Sequence, residues 1–375
     1  MQFVFITGMF RSGTTLIEKI LTNHNNGYIA SQPVPFLYIK LKEIFNKKNN
    51  LSSIPYAINP NFPNHFNLNS FTHFLEKRKI TRSFIAKIFE DMKNYSGCWT
   101  PNIFNIVDKI KENSLSGFYR QICEITDLND YDKSILFRGS KEIICEDFIE
   151  YFLKNNIKVI LIIRDPRDIV VSSNFSQKNN YIGQKRPIIY ILRMWRKSIA
   201  YSLFFKNNPN FLSVQYEHLI KTPMEVLELI TNFLQVNSFS NDFITNELKT
   251  QDGKIWKGNS SFGRKKLIDS TSIGNYTKAL DMQTINYIET ICRPEMNYLG
   301  YKIKTEFQES CIQQFKEEYK NIHQAFTQFP ITQSQIASEE LTRISILKSQ
   351  KHRLNNIEKY FLFNNVYDIL KKYMD

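Results

Sequence analysis

The chain has 375 residues, of which 42% are hydrophobic and 23% charged, and its formal net charge is +13. These are globular values that exclude a disordered or fibrous chain, and the length suits one α/β domain with an appendage. The positive charge is spread as a Lys/Asn-rich surface without a long basic block, which favours small anionic ligands over a nucleic-acid partner.

Phe3-Val4-Phe5-Ile6 does not alternate and reads as a fully buried strand. Gly8 and Gly13 then bracket Met9-Phe10-Arg11-Ser12, and Leu16, Ile17, Ile20 and Leu21 recur at helical spacing. Strand, glycine-bounded loop and helix together make an anion cradle, because loop N–H groups converge with the unpaired donors of a helix N-terminus. The spacing is that of the nucleotide-triphosphatase loop G-x-x-x-x-G-K-[ST], but Thr14 stands where the lysine belongs. Arg11 puts a permanent cation inside the loop instead. A purely structural turn is the alternative at this point.

Residues 33–130 alternate helical patterns, such as Phe36 to Phe45 and Ser83 to Phe89, with loops. Tyr56, Phe62, Phe66, Phe71, Phe74, Tyr95 and Trp99 make this region aromatic, as a core or an apolar acceptor pocket would be. Leu136 to Glu142 precedes a helix at Phe148 to Leu153, and Lys158 to Ile163 reads as a second buried strand. There follows Arg164-Asp165-Pro166-Arg167-Asp168, with Asp165 as helix N-cap and Pro166 at the first helical position. A guanidinium fork at Arg164 and a hydroxyl at Ser172 suit one phosphate; an ordinary helix start with a salt bridge is the equal alternative. Tyr190 to Phe205 carries Ile191, Met194, Trp195 and Ile199 on one helical face, and Phe211 to Leu219 reads as a strand.

The five cysteines show no C-x-x-C spacing and read as buried thiols of a reducing compartment. The six histidines form no metal-ligating pair, so no metal is expected. No run is long enough to span a bilayer, and a core strand begins at once, so the expected location is cytoplasmic. From Glu306 onward, Phe315, Tyr319, Ile322 and Phe326, then Leu354, Ile357, Tyr360 and Phe361, keep helical spacing. This tail suits helical packing, a lid or a homodimer contact.

Together, the loop around Arg11 and the stretch from Arg164 to Ser172 resemble the sulfotransferase family, which uses 3′-phosphoadenosine-5′-phosphosulfate (PAPS). The resemblance runs from residue 3 to about residue 300 and lies nearest the R-S-G-T-T branch of bacterial and tyrosylprotein sulfotransferases. It implies a P-loop-containing, three-layer α/β fold with a central parallel sheet over residues 1–304, acceptor-pocket insertions at about 33–130, and a helical extension over 305–375. Gly8, Arg11, Ser12, Gly13, Thr14 and Thr15 are then expected to hold the 5′-phosphosulfate, and Arg164 and Ser172 the 3′-phosphate. Lys141, 23 residues before Arg164, matches a lysine that contacts the transferring group and the leaving oxygen. Tyr216, in Tyr216-Glu217-His218-Leu219, matches a tyrosine against the adenine, with a helix from Pro223 to Leu234 to follow. Ser261, Phe262 and Arg264 lie in and just after a match to an N-S-S-F stretch, and Ser270 to Tyr276 matches a later S-x-x-G-x-[WY] stretch that folds over the nucleotide, with a disordered surface loop as the alternative.

In this branch the general base is a glutamate 21 residues after the loop arginine, and here that position is Gln32. An amide takes no proton at neutral pH. His24, Glu43, His65, His73 and Glu142 are the other candidates, with His24 readable first as a helix cap. The reading is therefore a PAPS-dependent sulfotransferase acting on a hydroxyl or amine of a small-molecule acceptor, suited to secondary metabolism, with Arg11, Lys141 and His24 as catalytic candidates. A P-loop kinase, or a PAPS-binding protein without a catalytic base, are the alternatives.

Overall fold

The computed structural model describes residues 1–51, 66–94, 100, 103–127, 134–175, 185–240, 243, 247–256, 258, 270–317, 332–349 and 357–374. Its strands are β1 (Gln2–Gly8), β2 (Gly27–Ser31), β3 (Phe137–Lys141), β4 (Lys158–Ile163) and β5 (Phe211–Gln215). They form one parallel sheet in the order β2-β3-β1-β4-β5.

Helix α1 (Thr14–Thr22) follows β1, and α2 (Pro35–Lys48), α3 (Leu68–Lys77), α4 (Arg82–Met92) and α5 (Leu115–Ile125) lie between β2 and β3. Helix α6 (Ile149–Lys154) precedes β4, and α7 (Pro166–Asn174) and α8 (Ile188–Phe205) precede β5. Beyond β5 come α9 (Tyr216–Lys221), α10 (Pro223–Leu234), α11 (Tyr276–Ala279), α12 (Met282–Tyr298), α13 (Ser310–Gln314), α14 (Gln333–Lys348), α15 (Glu358–Phe361) and α16 (Asn364–Leu370).

Strand alternation divides the sheet's side chains between two cores. Val4, Ile6, Ile160 and Ile162 pack with Leu16, Ile17, Ile20 and Leu21 of α1 and with residues of α9 and α10. Phe3, Phe5, Val159 and Leu161 pack on the other side with α2 to α6, a core rich in Phe and Tyr. Both faces being covered explains why these strands are apolar without interruption. The result is a three-layer α/β fold, as expected.

A third core joins α7, α8 and α12 to the C-terminal helices, so that Phe315, Ile336, Phe361 and Tyr367 bury their side chains within the same chain. Tyr319, Ile322, Phe326 and Leu354 lie outside the described residues. One expectation needs correction. The strand at Phe211 stops at Gln215, and Tyr216 already opens α9. Among the described residues, no helix is long and apolar enough to cross a membrane, and Cys123, Cys145, Cys292 and Cys311 are buried free thiols.

Candidate functional site

The carboxyl ends of all five parallel strands meet along one edge of the sheet, the usual location of sites in such folds. The pairing Ser31↔Lys141 and Ile6↔Lys141 sets the end of β3 level with β2 and with the start of the loop after β1. On the other side, Gly8↔Ile162 and Ile163↔Gln215 bring Arg164 and Tyr216 up to the same loop.

The loop itself is held from within. The Ser12 N–H and hydroxyl both donate to the Met9 carbonyl, at 3.2 and 2.7 Å, so Ser12 uses these groups to shape the loop. Arg11 adopts a left-handed φ of +65° and Gly13 a φ of +102°. In helix α1 the Leu16 N–H donates to the Gly13 carbonyl at 2.9 Å, and among the described residues no side chain caps the N–H groups before it. That is the donor arrangement an anion needs. A Cβ added at Gly13 would lie 2.4 Å from the Tyr216 ring. Gly13→Ala is therefore expected to lose about 1–3 kcal/mol of stability through its positive φ and this clash, read as a lower urea midpoint.

Arg164 links the loop to the far side of the site. Its Nη1 donates to the Arg11 carbonyl at 3.0 Å, and its Nη2 to the Ser272 carbonyl at 2.5 Å. Its guanidinium carbon sits 4.6 Å from the centre of the Tyr216 ring, and the Tyr216 hydroxyl lies 2.5 Å from the Ser272 hydroxyl. The Arg164 Nε is buried and meets no acceptor among the described residues. Arg167 is differently employed, pairing through Nε and Nη2 with Asp165 at 3.0 and 2.7 Å and through Nη1 with Glu289. The turn between them is fixed on several sides. Asp165 caps α7 by accepting the Arg167 N–H, its own N–H donates to Glu217, and Trp195 Nε1 donates to the Arg164 carbonyl.

A strap closes this side. The Asp168 carboxylate accepts the N–H groups of Gly274 and Tyr276 at 2.7 and 3.0 Å, seating Ser270–Ser272 over the start of α7. Ser172 is buried one turn and a half further along α7. Lys141 ends β3 fully buried, and its Nζ donates to Gln32 Oε1 at 3.0 Å. Burial lowers its pKa against the opposing pull of Glu18 and Glu142. The neighbouring Glu142 has its pKa raised by burial, although it accepts the Val34 N–H.

The sequence model of the sulfotransferase family matches residues 3–241. The chain belongs to the sulfotransferase family.

A 3-beta-hydroxysteroid sulfotransferase of Cavia porcellus is 30% identical over 98 residues, 23% of this chain and 34% of that protein. The match spans about a third of that relative's length. Among solved structures, a sulfotransferase domain from the curacin biosynthetic pathway is 17% identical, covering 81% of this chain and 99% of its own, with a TM-score of 0.44. A mouse sulfotransferase complexed with PAP is 11% identical, covering 79% and 84%, with a TM-score of 0.41.

Not every candidate comes to this sulfotransferase's strand edge. His24 follows the end of α1, its ring 5.6 Å from that of Phe137, at the opposite end of β3 from Lys141. Its Nε2 donates to the Asn237 carbonyl at 2.8 Å and its Nδ1 accepts the Asn26 N–H at 3.1 Å, so both nitrogens are engaged. His24 is a structural cap, and its catalytic candidacy is withdrawn. Glu43 and His73 are exposed on α2 and α3, paired with Lys40 and Glu76. His65, Ser261, Phe262 and Arg264 lie outside the described residues.

Two residues of the site, Glu18 and Asp168, had no reading as site residues, and Ser272 had one only as part of the Ser270 to Tyr276 stretch. Glu18 is fully buried on α1, accepting from the Ser31 hydroxyl at 2.9 Å and from Gln251 at 2.6 Å. Asp168 and Ser272 hold the strap. The serine- and glycine-rich run around Ser272 was a signal; for Glu18, a charge within an apolar helical stretch, there was none.

Proposed function

We propose that this protein transfers a sulfuryl group from PAPS to a hydroxyl or amine of a small-molecule acceptor, in a secondary-metabolite tailoring step. The family membership supports the reaction class, and Arg164 carries the choice of donor. It is a buried guanidinium beside a tyrosine ring, tied to the anion loop, whose Nε meets no acceptor among the described residues. A 3′-phosphate beside an adenine would satisfy it and would bring Ser172 into play. The loop N–H groups after Gly13, with Arg11, Thr14 and Thr15, would hold the 5′-phosphosulfate.

The bound donor supplies an activated sulfuryl group on a phosphate leaving group. Lys141 would meet the charge that grows on the leaving oxygen, an electrostatic contribution that a fixed buried ammonium makes without reorganisation. Gln32 takes no proton, so an amine or an acidified hydroxyl is the acceptor that asks least of this position.

Calorimetric titration with 3′-phosphoadenosine-5′-phosphate (PAP), against AMP and ATP, tests the reading. Tight PAP binding that is lost without the 3′-phosphate is expected. Equal or tighter ATP binding would replace the reading with a P-loop kinase.

A further inference from the structure

The turn from β2 to α2 is tied to the end of β3 by three hydrogen bonds. The Gln32 N–H donates to the Lys141 carbonyl at 2.9 Å, Lys141 Nζ donates to Gln32 Oε1 at 3.0 Å, and the Val34 N–H donates to Glu142 Oε1 at 3.1 Å. Gln32 thus grips Lys141 by both backbone and side chain. It does so at a left-handed φ of +47°, while only 5% exposed. A non-glycine residue holds such a conformation only where its surroundings over-determine it, and such outliers gather at functional sites. The preceding residue is pinned as well. The Ser31 hydroxyl donates to Glu18 Oε2, and the Thr100 hydroxyl donates to the Ser31 carbonyl, both at 2.9 Å.

A turn alone needs none of this side-chain chemistry. What the amide adds is a neutral oxygen fixed at the lysine ammonium. A carboxylate there would neutralise the charge, and an apolar side chain would leave the ammonium without this acceptor.

We infer that Gln32 is a positioning residue, whose amide holds the Lys141 ammonium towards the 5′-anionic end of the nucleotide. The inference rests on the donor reading above. The charged groups acting on Lys141 are Glu18 and Lys19 of α1 and its neighbour Glu142. The two carboxylates favour the ammonium, whereas Lys19 and burial oppose it.

The test compares wild type, Gln32→Met and Gln32→Glu in calorimetric titrations with PAP and, by displacement of PAP, with adenosine 3′-monophosphate, which lacks the 5′-group. Titrations run from about pH 6 to pH 10, to span the deprotonation of a perturbed lysine. Gln32→Met is expected to bind PAP about tenfold more weakly, with little change for adenosine 3′-monophosphate. Its alkaline loss of PAP affinity moves to lower pH. In Gln32→Glu that loss moves to higher pH, because a carboxylate beside an ammonium raises its pKa.

Equal weakening of both nucleotides with an unmoved alkaline limb would mean a structural turn only and overturn the inference. Unchanged PAP affinity in Gln32→Met would overturn it too, and either result leaves the donor reading standing. Wild type that binds neither nucleotide would overturn the donor reading itself, and this inference with it.

Discussion

Arg164→Ala is expected to bind PAP about a hundredfold more weakly than wild type, while its affinity for AMP changes little. The size follows from the loss of charge-assisted hydrogen bonds to a 3′-phosphate, about 1.5–3 kcal/mol each, in a site that is largely desolvated. Selectivity should collapse rather than binding as a whole, because in the proposed donor site the 5′-phosphate would keep its own donors in the loop after Gly13. The fold should persist. The Arg164 side chain bonds to two carbonyls, those of Arg11 and Ser272, and lies outside the three apolar cores. The turn it stands on is fixed by Glu217, Trp195 and the Arg167–Asp165 pair. Arg164→Lys should recover part of the loss, since it restores charge without the planar fork. Calorimetry on the variants, with circular dichroism as a control for folding, makes the comparison; PAP affinity within about threefold of wild type would remove Arg164 from the donor site.

The second large effect lies away from the site. Arg193 and Arg196 on α8 are buried, and their carboxylate partners come from α14, well over a hundred residues later in the chain. Arg196 donates to Glu340 through Nη1 at 2.6 Å and Nη2 at 3.1 Å. Arg193 reaches Glu340 at 2.9 Å and Glu339 at 2.6 Å. Arg343 on α14 adds a pair with Glu295 of α12. Glu340→Gln leaves Arg196 buried without its carboxylate, and breaking a buried pair on one side costs about 3–5 kcal/mol. Replacing both partners with apolar residues, Arg196→Met with Glu340→Leu, should recover most of that loss, because no uncompensated charge remains.

Urea denaturation of the three proteins measures this directly, and its pH dependence gives a second check. Burial pushes the Glu340 carboxyl up, but Arg196 and Arg193 more than offset it and hold its pKa at about 2. A carboxyl depressed in the folded state contributes stability above its unfolded pKa, and that contribution is lost as pH falls towards the folded one. The wild-type advantage over Glu340→Gln should therefore shrink as pH drops from about 4.5 towards 2. An advantage that stays constant over that range would show that the ion pair does not stabilise the docking of α14.

What could be read from the sequence was governed by short-range backbone physics. The unbroken apolar run of β1, the glycines flanking the loop and the periodicity of α1 are neighbours in the chain, and so are Asp165 and Pro166 at the start of α7. Each stretch limits its own backbone whatever surrounds it. Helix α10 occupies Pro223–Leu234, the range the family resemblance implied, with proline at its first position and an apolar face after it. The pairing of loop and arginine motifs was legible only through the family resemblance, and the structure sets both at strand ends on one edge of the parallel sheet.

Only the tertiary structure decided which charges meet. Lys141 and Gln32 are 109 residues apart, and Arg164 and Ser272 are 108 apart. No periodicity records a partner at such a distance. Helix α8 makes the same point. Its apolar face was evident, yet nearly every one of its residues is buried, since carboxylates of α14 cover Arg193 and Arg196 while Asp147 and Glu146 cover Lys197, Tyr201 and Ser198. His24 was misplaced for a related reason. Its position after α1 fits a cap or a catalytic group, and the length of α1 carries it to the far end of the sheet. A buried ionisable group takes its role from its partners, and the fold, not the local sequence, brings those partners to it.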